Sequence, residues 1–358
     1  MDVRKPVEVN MPLPQDISAQ DIKTQGIETT GAEEKEVNLG RRLMRKETVV
    51  SFIVAFGILA LLITQLDLDY RDIWVRMQGA DPVLYLIAFV IYYLTFPLRA
   101  YRWLVLLNNI GIKRSPNIPL PSVAGLAHII FLGWFANCVV PAKLGDAYRG
   151  YLLKKETRVS FSSTMGTVLA ERIIDMVVLF SLIGVAGFGL LGGAEDAFVR
   201  NILLAGLAMV VVIFIGLLSM WVLSEKMPWL VPSRLKGVYG RFHSGTMGSF
   251  RQMPLVLAIS VVVWLMETSR MLFVAKSLGI SLSFPYVVFI SLANSILTVV
   301  PFTPGGLGLV EAGVVGLLLL VSPIDKETAV SVAILDRTIS YWSLIGIGAL
   351  LLVVGKRK

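Results

Sequence analysis

The sequence predicts an all-α polytopic membrane protein, with about eight transmembrane helices, re-entrant or broken helices among them, and two repeat-related halves. Three observations carry this. The 358 residues are 55% apolar and only 16% charged, with a mean hydropathy of +0.73, whereas a soluble domain is about 25% charged. The apolar residues fall into nine long runs joined mostly by short polar connections. Several runs are broken by proline and glycine or carry charges. This composition excludes an ordinary soluble enzyme, a disordered chain and a disulfide scaffold. Continuous apolar runs exclude an outer-membrane barrel, whose strands alternate apolar and polar residues.

Residues 1–48 read as a cytoplasmic disordered tail. Ile27–Glu36 has no apolar period. The first apolar run starts near Val49, too far in for a secretory signal. Arg41, Arg42, Arg45 and Lys46 flank it, and positive flanks stay inside. The membrane domain is 49–355. Its runs are 49–66, 82–107, 119–141, 161–191, 199–224, 252–275, 285–301, 307–322 and 328–355. The longer connection 225–251 is basic and is expected to be cytoplasmic. So is the basic end 356–358. Two cytoplasmic ends require an even number of crossings, so one of nine runs must not cross. The third is the best candidate, because it opens with Pro119 and Pro121, stops at Pro141 and precedes a basic stretch. A broken helix at membrane depth needs a protein or polar shield for its backbone. A cavity is therefore expected beside residues 130–150. The eighth run is short and reads as a half-helix.

The halves echo one another. Ala136-Asn137 and Val139-Val140-Pro141 match Ala293-Asn294 and Val299-Val300-Pro301. Lys155-Glu156-Thr157 matches Lys326-Glu327-Thr328, and Glu171-Arg172 matches Asp336-Arg337. Paired, interrupted apolar segments mark binding sites in transporters.

Four motifs carry possible chemistry. In Asn137-x-x-x-Pro141-x-Lys143-x-Gly145-Asp146-x-x-Arg149, proline stops a helix and glycine permits a tight backbone. Arg149 at such a tip suits an anionic headgroup; the plain alternative is a helix stop before a solvated basic loop. In Pro301-x-Thr303-Pro304-Gly305-Gly306-Leu307-Gly308-x-x-Glu311, a helix starting near Leu307 points amides at the break, and such ends attract anions. The plain alternative is a glycine-packed turn. The third motif is the set of intramembrane charges: Glu171, Arg172, Asp175, Glu267, Arg270, Asp336 and Arg337, with Arg99 and Arg102 at the end of the second run. A charge at the bilayer centre costs about 2.5–3.5 kcal/mol. Such residues face a polar pathway or form structural pairs; Arg99 and Arg102 can also snorkel. Arg172 and Asp175, three apart, can pair on one helix. Last, Asp67 and Asp69 can hold a divalent cation or simply end a helix.

No nucleotide-binding, zincin or nucleophile-elbow motif occurs. The two histidines do not make a metal site, and the single Cys138 cannot form an internal disulfide. No cofactor, metal, catalytic residue or nucleic-acid partner is expected.

The ordered motifs Arg99-x-x-Arg102-Trp103, Asn137 to Arg149, Glu171-Arg172-x-x-Asp175 and Pro301 to Glu311 resemble the flippase-like transmembrane domain of lysylphosphatidylglycerol synthases. The resemblance covers about residues 49–355. It implies movement of a lipid between leaflets. The synthases' aminoacyltransferase domain has no counterpart in this sequence, so lysyl transfer is not implied. Asp146 and Lys143 depart mildly from the glutamate and arginine usual there.

The expectation is a non-enzymatic lipid transporter of the cell membrane, its termini cytoplasmic. A lipid phosphate would be bound by Arg99, Arg102, Asn137, Lys143, Asp146, Arg149, Arg172, Arg270, Arg337, Gly305, Gly306 and Gly308. Glu171, Asp175, Glu267, Glu311 and Asp336 would be counter-ions or proton carriers. The alternatives are a membrane glycosyltransferase with a polyprenyl-phosphate donor, and a non-transporting scaffold. The lipid, the coupling and the oligomeric state are not legible.

Overall fold

The computed structural model describes residues 46–112, 120–140, 144–191, 215, 236–298 and 303–355. All of these lie in one compact unit, Leu39–Lys358. All regular structure among them is helical. The fifth apolar run, 199–224, falls outside them except at residue 215, as do residues 1–45 of the tail and the basic end.

The helices are α1 (Lys46–Leu66), α2 (Tyr70–Gln78), α3 (Pro82–Asn109), α4 (Val123–Val139), α5 (Leu144–Thr157), α6 (Phe161–Leu191), α7 (Lys236–Ser249), α8 (Met253–Ser277), α9 (Phe284–Leu297), α10 (Leu309–Val321), α11 (Lys326–Arg337) and α12 (Ser343–Gly355). Short 3-10 turns join α7 to α8 and precede α10, and a π turn at Thr338–Trp342 joins α11 to α12. Among the described residues, five stretches are long and apolar enough to cross a membrane: Thr48–Leu66, Pro82–Asn109, Lys236–Ser277, Pro304–Val321 and Lys326–Leu351. The 31-residue α6 has the length as well, but carries Glu171, Arg172 and Asp175.

Local chemistry sets the helix starts. Asp81 accepts from the amides of Val83 and Leu84, with Pro82 at the first helical position, where its missing N–H costs nothing. Ser122 caps α4 and Asp325 caps α11 in the same way. Asp69 caps α2 by accepting from Arg71 at 2.9 Å and Asp72 at 3.1 Å. That carboxylate serves its own nine-residue helix and does not join Asp67 as a cation site.

The bundle centre is the pair α3 and α8, which run antiparallel. The Asp81 amide at the start of α3 donates to the Ser277 carbonyl at the end of α8 (2.7 Å). At the other end, the Asn109 side chain donates to the Ser249 carbonyl just before α8 (2.9 Å). Helices α4 and α5 form a hairpin. A Cβ on Gly133 would lie 2.9 Å from the Gly145 carbonyl, so the two backbones touch there. Helix α6 packs on α9 through Leu179, Ile183, Val288, Phe289 and Leu292. It packs on α7 by glycine: a Cβ on Gly166 would meet the Phe242 carbonyl and one on Gly245 the Ser163 carbonyl.

Candidate functional site

Two helix breaks meet inside the bundle. Between α9 and α10, Gly305, Gly306 and Gly308 have φ of +57°, +73° and +86°. L-residues with a Cβ rarely adopt this region. The chain here also leaves no room for side chains. A Cβ on Gly305 would lie 2.7 Å from the Tyr341 ring, and one on Gly308 2.7 Å from the Ala55 carbonyl of α1. In the other break, the Asn137 side-chain oxygen accepts from the Gly145 amide at 2.8 Å, closing the α4–α5 corner. The Tyr341 hydroxyl donates to the Cys138 carbonyl at 3.0 Å and ties the two breaks together.

Glu311 has a specific job. One oxygen accepts from the Gly308 amide at 2.6 Å, and the other from Arg337 Nε at 2.6 Å. Arg337 Nη2 also donates to the Gly305 carbonyl at 3.0 Å. Sequence reasoning expected free amides here for an anion. The Gly308 amide is instead capped by Glu311, and the Gly306 and Leu307 amides bond back to Thr303 and Pro304.

Each remaining intramembrane charge has an opposite partner, though the Nε atoms of Arg99, Arg102, Arg149 and Arg270 and Oδ2 of Asp336 make no hydrogen bond. Arg99 donates to Glu267 at 2.8 Å. Arg102 grips Asp175 with both terminal nitrogens, at 2.5 and 3.1 Å, and lies 2.9 Å from Glu171. Arg149 holds Glu171 at 2.9 and 3.3 Å. Arg172 holds Asp146 at 2.7 and 3.0 Å. Arg270 pairs with Asp336 and, at 3.4 Å, with Glu267. Among the described residues, six arginines therefore face six carboxylates. Buried charges are tolerable only when paired and hydrogen-bonded, as these are. Four of the guanidinium groups also lie over rings: Arg99 on Trp134, Arg149 on Trp103, Arg270 on Tyr92 and Arg337 on Tyr341, at 4.6 to 5.5 Å.

A cavity of about 400 Å³ opens among these groups. That is within the roughly 300–1,000 Å³ of ligand pockets. Its cations are Arg99, Arg172, Arg270 and Arg337; its carboxylates are Asp146, Asp175 and Glu267; and Tyr92, Trp134, Trp264 and Tyr341 supply ring surface. Arg172 is the most open of its buried pairs, with 31% of its side chain exposed, and its Nη1 stands 3.9 Å from Asp175, beyond hydrogen-bond reach. Asn294 and Thr303 also line the cavity, and each has a buried polar atom with no protein partner.

The expected binding residues thus divide. Arg99, Asn137, Asp146, Arg172, Arg270, Gly305 and Arg337 line the cavity, with Asp175 and Glu267 among the expected counter-ions. Arg102, Arg149 and Glu171 stand behind the wall as a buried brace, 0%, 1% and 3% exposed. Gly306, Gly308, Glu311 and Asp336 shape the lining without forming it. Lys143 lies outside the described residues. Arg99 and Arg102 do not snorkel; both are buried and paired. Arg172 favours Asp146 over its helix neighbour Asp175. Sequence reasoning missed Asn294 as a lining residue, although its Ala-Asn echo of Asn137 was a usable signal. It also missed Ser340 and Tyr341, which a π turn places in the wall. π turns often occur at functional sites.

Residues 48–348 match the family described as lysylphosphatidylglycerol synthase TM region. The chain is 35% identical over 228 residues to a UPF0104 membrane protein of Methanocaldococcus jannaschii, covering 63% of this chain and 95% of that one. It is 25% identical over 312 residues to a UPF0104 membrane protein of Pyrococcus horikoshii, covering 78% and 90%. It is also 25% identical over 360 residues to the glycosyltransferase AglD of Haloferax volcanii, covering 87% of this chain but 55% of that protein. Nearly half of AglD thus lies outside the match. The chain is a multi-pass integral membrane protein and belongs to the lysylphosphatidylglycerol synthase TM region family.

Proposed function

We propose that this protein moves a phosphate-bearing lipid between leaflets, with the headgroup passing through the charged cavity. One observation carries the reading: inside a bundle of membrane-crossing helices lies a 400 Å³ cavity walled by four arginines and three carboxylates. Ionisable groups at such depth mark substrate pathways by default. Arginine suits phosphate, because its planar fork donates several hydrogen bonds at once. Arg172, the most exposed of the six, is the first phosphate contact. Carboxylates already hold the lining arginines, so a phosphate enters by exchanging places with one of them. The α4–α5 hairpin re-enters the membrane without crossing, with Tyr341 tying its Cys138 carbonyl to the second break. Eight crossings accommodate the apolar runs on this reading.

The test is lipid movement in sealed liposomes. Purified protein is reconstituted with headgroup-labelled lipids, and outer-leaflet label is destroyed by an impermeant reagent. Loss of label beyond the outer-leaflet fraction, slowed in Arg172→Gln, supports the reading. No excess loss for any phospholipid or polyprenyl phosphate overturns it.

A second reading, a glycosyltransferase using a polyprenyl-phosphate donor, draws on the name of the Haloferax volcanii relative. Its acid pair Asp67 and Asp69 is not assembled, since Asp69 caps α2. Sugar transfer by the purified protein with a divalent cation, lost in Asp67→Asn, would favour it.

A further inference from the structure

Resting on that reading, we infer that the cavity contains two equivalent phosphate stations, Arg172 in one half and Arg337 in the other, used one after the other by a single headgroup.

The two arginines occupy matching places. Asp146 and Glu311 are each the third residue of their helices, α5 and α10. Glu171 and Asp336 are each the eleventh residue of theirs, α6 and α11, and Arg172 and Arg337 the twelfth. Each arginine reaches back 26 residues to its carboxylate, Arg172 to Asp146 and Arg337 to Glu311. Behind each, a second arginine from the central pair holds the neighbouring acid: Arg102 of α3 on Glu171, and Arg270 of α8 on Asp336. The broken corner before each pair is closed by a side chain, Asn137 on the Gly145 amide and Glu311 on the Gly308 amide. Repeated fragments in sequence thus correspond to repeated ion-pair architecture in space.

The repeat is inverted. Helices α3 and α8, which supply the bracing arginines, run antiparallel, tied end to end by Asp81–Ser277 and Asn109–Ser249. Halves related in this way present the same device toward opposite faces of a membrane. Yet the two devices are not in the same state. Arg172 and Asp146 are 31% and 19% exposed, whereas Arg337 and Glu311 are 7% and 11% exposed. One station is open and its counterpart is shut. Near the shut station, Asn294 and Thr303 keep buried polar atoms unpartnered in the cavity wall, where a ligand oxygen or hydroxyl would satisfy them. The counterpart Asn137 is already engaged. An inverted repeat in unequal states has a mirror state of similar energy, in which the halves exchange roles. In that state the Arg337–Glu311 pair is the exposed one and the Arg172–Asp146 pair the buried one. A phosphate that displaced Asp146 at the first station would then displace Glu311 at the second.

The test separates binding from movement, with acyl-labelled phosphatidylglycerol as the probe. Two variants each remove one whole station, Asp146→Asn with Arg172→Gln, and Glu311→Gln with Arg337→Gln. Deleting both partners leaves no unpaired buried charge. Each variant should bind the probe in detergent within about tenfold of the unaltered protein, yet move it in sealed phosphatidylcholine liposomes at least about tenfold more slowly. The protein lacking both stations should not bind it. If either single-station variant alone loses binding, the arginines form one site and the inference fails. Normal movement by either variant also overturns it. If a variant does not fold, Met176→Cys and Ser340→Cys, each in a Cys138→Ser background, replace it. Exchange of states lets an impermeant maleimide reach both cysteines from both faces. Labelling of both from one face only, in protein that moves lipid, refutes the hand-off while sparing the functional reading. If the unaltered protein neither binds nor moves any phospholipid or polyprenyl phosphate, the functional reading falls first.

Discussion

The ring of Tyr341 lies against the backbone of Gly305 while its hydroxyl donates to the Cys138 carbonyl at 3.0 Å. One side chain therefore fixes the two helix breaks against each other. Its own position depends on the π turn that follows Arg337.

Tyr341→Phe keeps the ring and removes the hydrogen bond. The Cys138 carbonyl already ends a helix, so the loss should be about 0.5–1.5 kcal/mol. Gly305→Ala should cost more, because its φ of +57° and the ring together leave no place for a methyl group. Thermal unfolding in detergent should rank the two in that order. Equal midpoints would deny the close contact.

Glu311 joins the Gly308 amide to Arg337, so its loss should act through both. Glu311→Gln leaves Arg337 buried beside a neutral amide, a change in the class that costs about 3–5 kcal/mol when one partner of a buried pair is removed. Glu311→Gln with Arg337→Gln should be less destabilising than the sum of the single changes. A double-mutant cycle on unfolding measures this coupling. Additive effects would mean that the 2.6 Å pair contributes no coupling.

Gly308→Ala tests the docking of α1. A methyl group there would meet the Ala55 carbonyl at 2.7 Å and Ile58 at 3.0 Å, at a residue with φ of +86°. The variant should release α1 from the bundle, seen as faster proteolysis or cysteine labelling at Ala55. Unchanged protection of that helix would contradict the contact.

Acid should loosen the junction of α2 and α11. Burial pushes the Asp325 carboxyl up, but hydrogen bonds from Thr328 and backbone amides, with the Arg76 charge, outweigh it and hold the group below its usual value. A depressed carboxylate contributes stability above its unfolded pKa of about 3.9 and loses it as pH falls through the folded value. Unfolding midpoints should therefore drop on acidification below about pH 4, and Asp325→Asn should blunt that part of the fall. The site is half-exposed, so the effect should stay below about 1 kcal/mol. An identical acid profile in Asp325→Asn would exclude the assignment.

Much of the spine was legible because apolar runs of membrane length leave few options. The ends of α1, α3, α6 and α8 fall within three residues of the apolar boundaries. The glycine break was legible because few other structures need Pro304-Gly305-Gly306 and Gly308 inside apolar sequence. Partner choice was not. Spacing offered Arg172 the i,i+3 carboxylate of Asp175, but Asp175 is held by both terminal nitrogens of Arg102, and Asp146 meets Arg172 across a corner that spacing does not describe. Helix α7 was read as a basic connection. Its Gly-Ser-Thr composition has no apolar period, and it is held by backbone contact at Gly245 and Gly166, which hydropathy does not register. Helix α2 was hidden because Asp69 looked like a ligand when its role is a cap.

The central claim is that a lipid headgroup passes through the charged cavity. Ser295 lines that cavity beside Asn294. Ser295→Cys, in a Cys138→Ser background, allows it to be plugged after reconstitution with a bulky thiol reagent. Lipid movement in sealed liposomes, measured before and after modification, is the most direct test. Movement that stops on modification and returns on reduction is the predicted result. Movement that continues unchanged through the plugged protein would contradict the account.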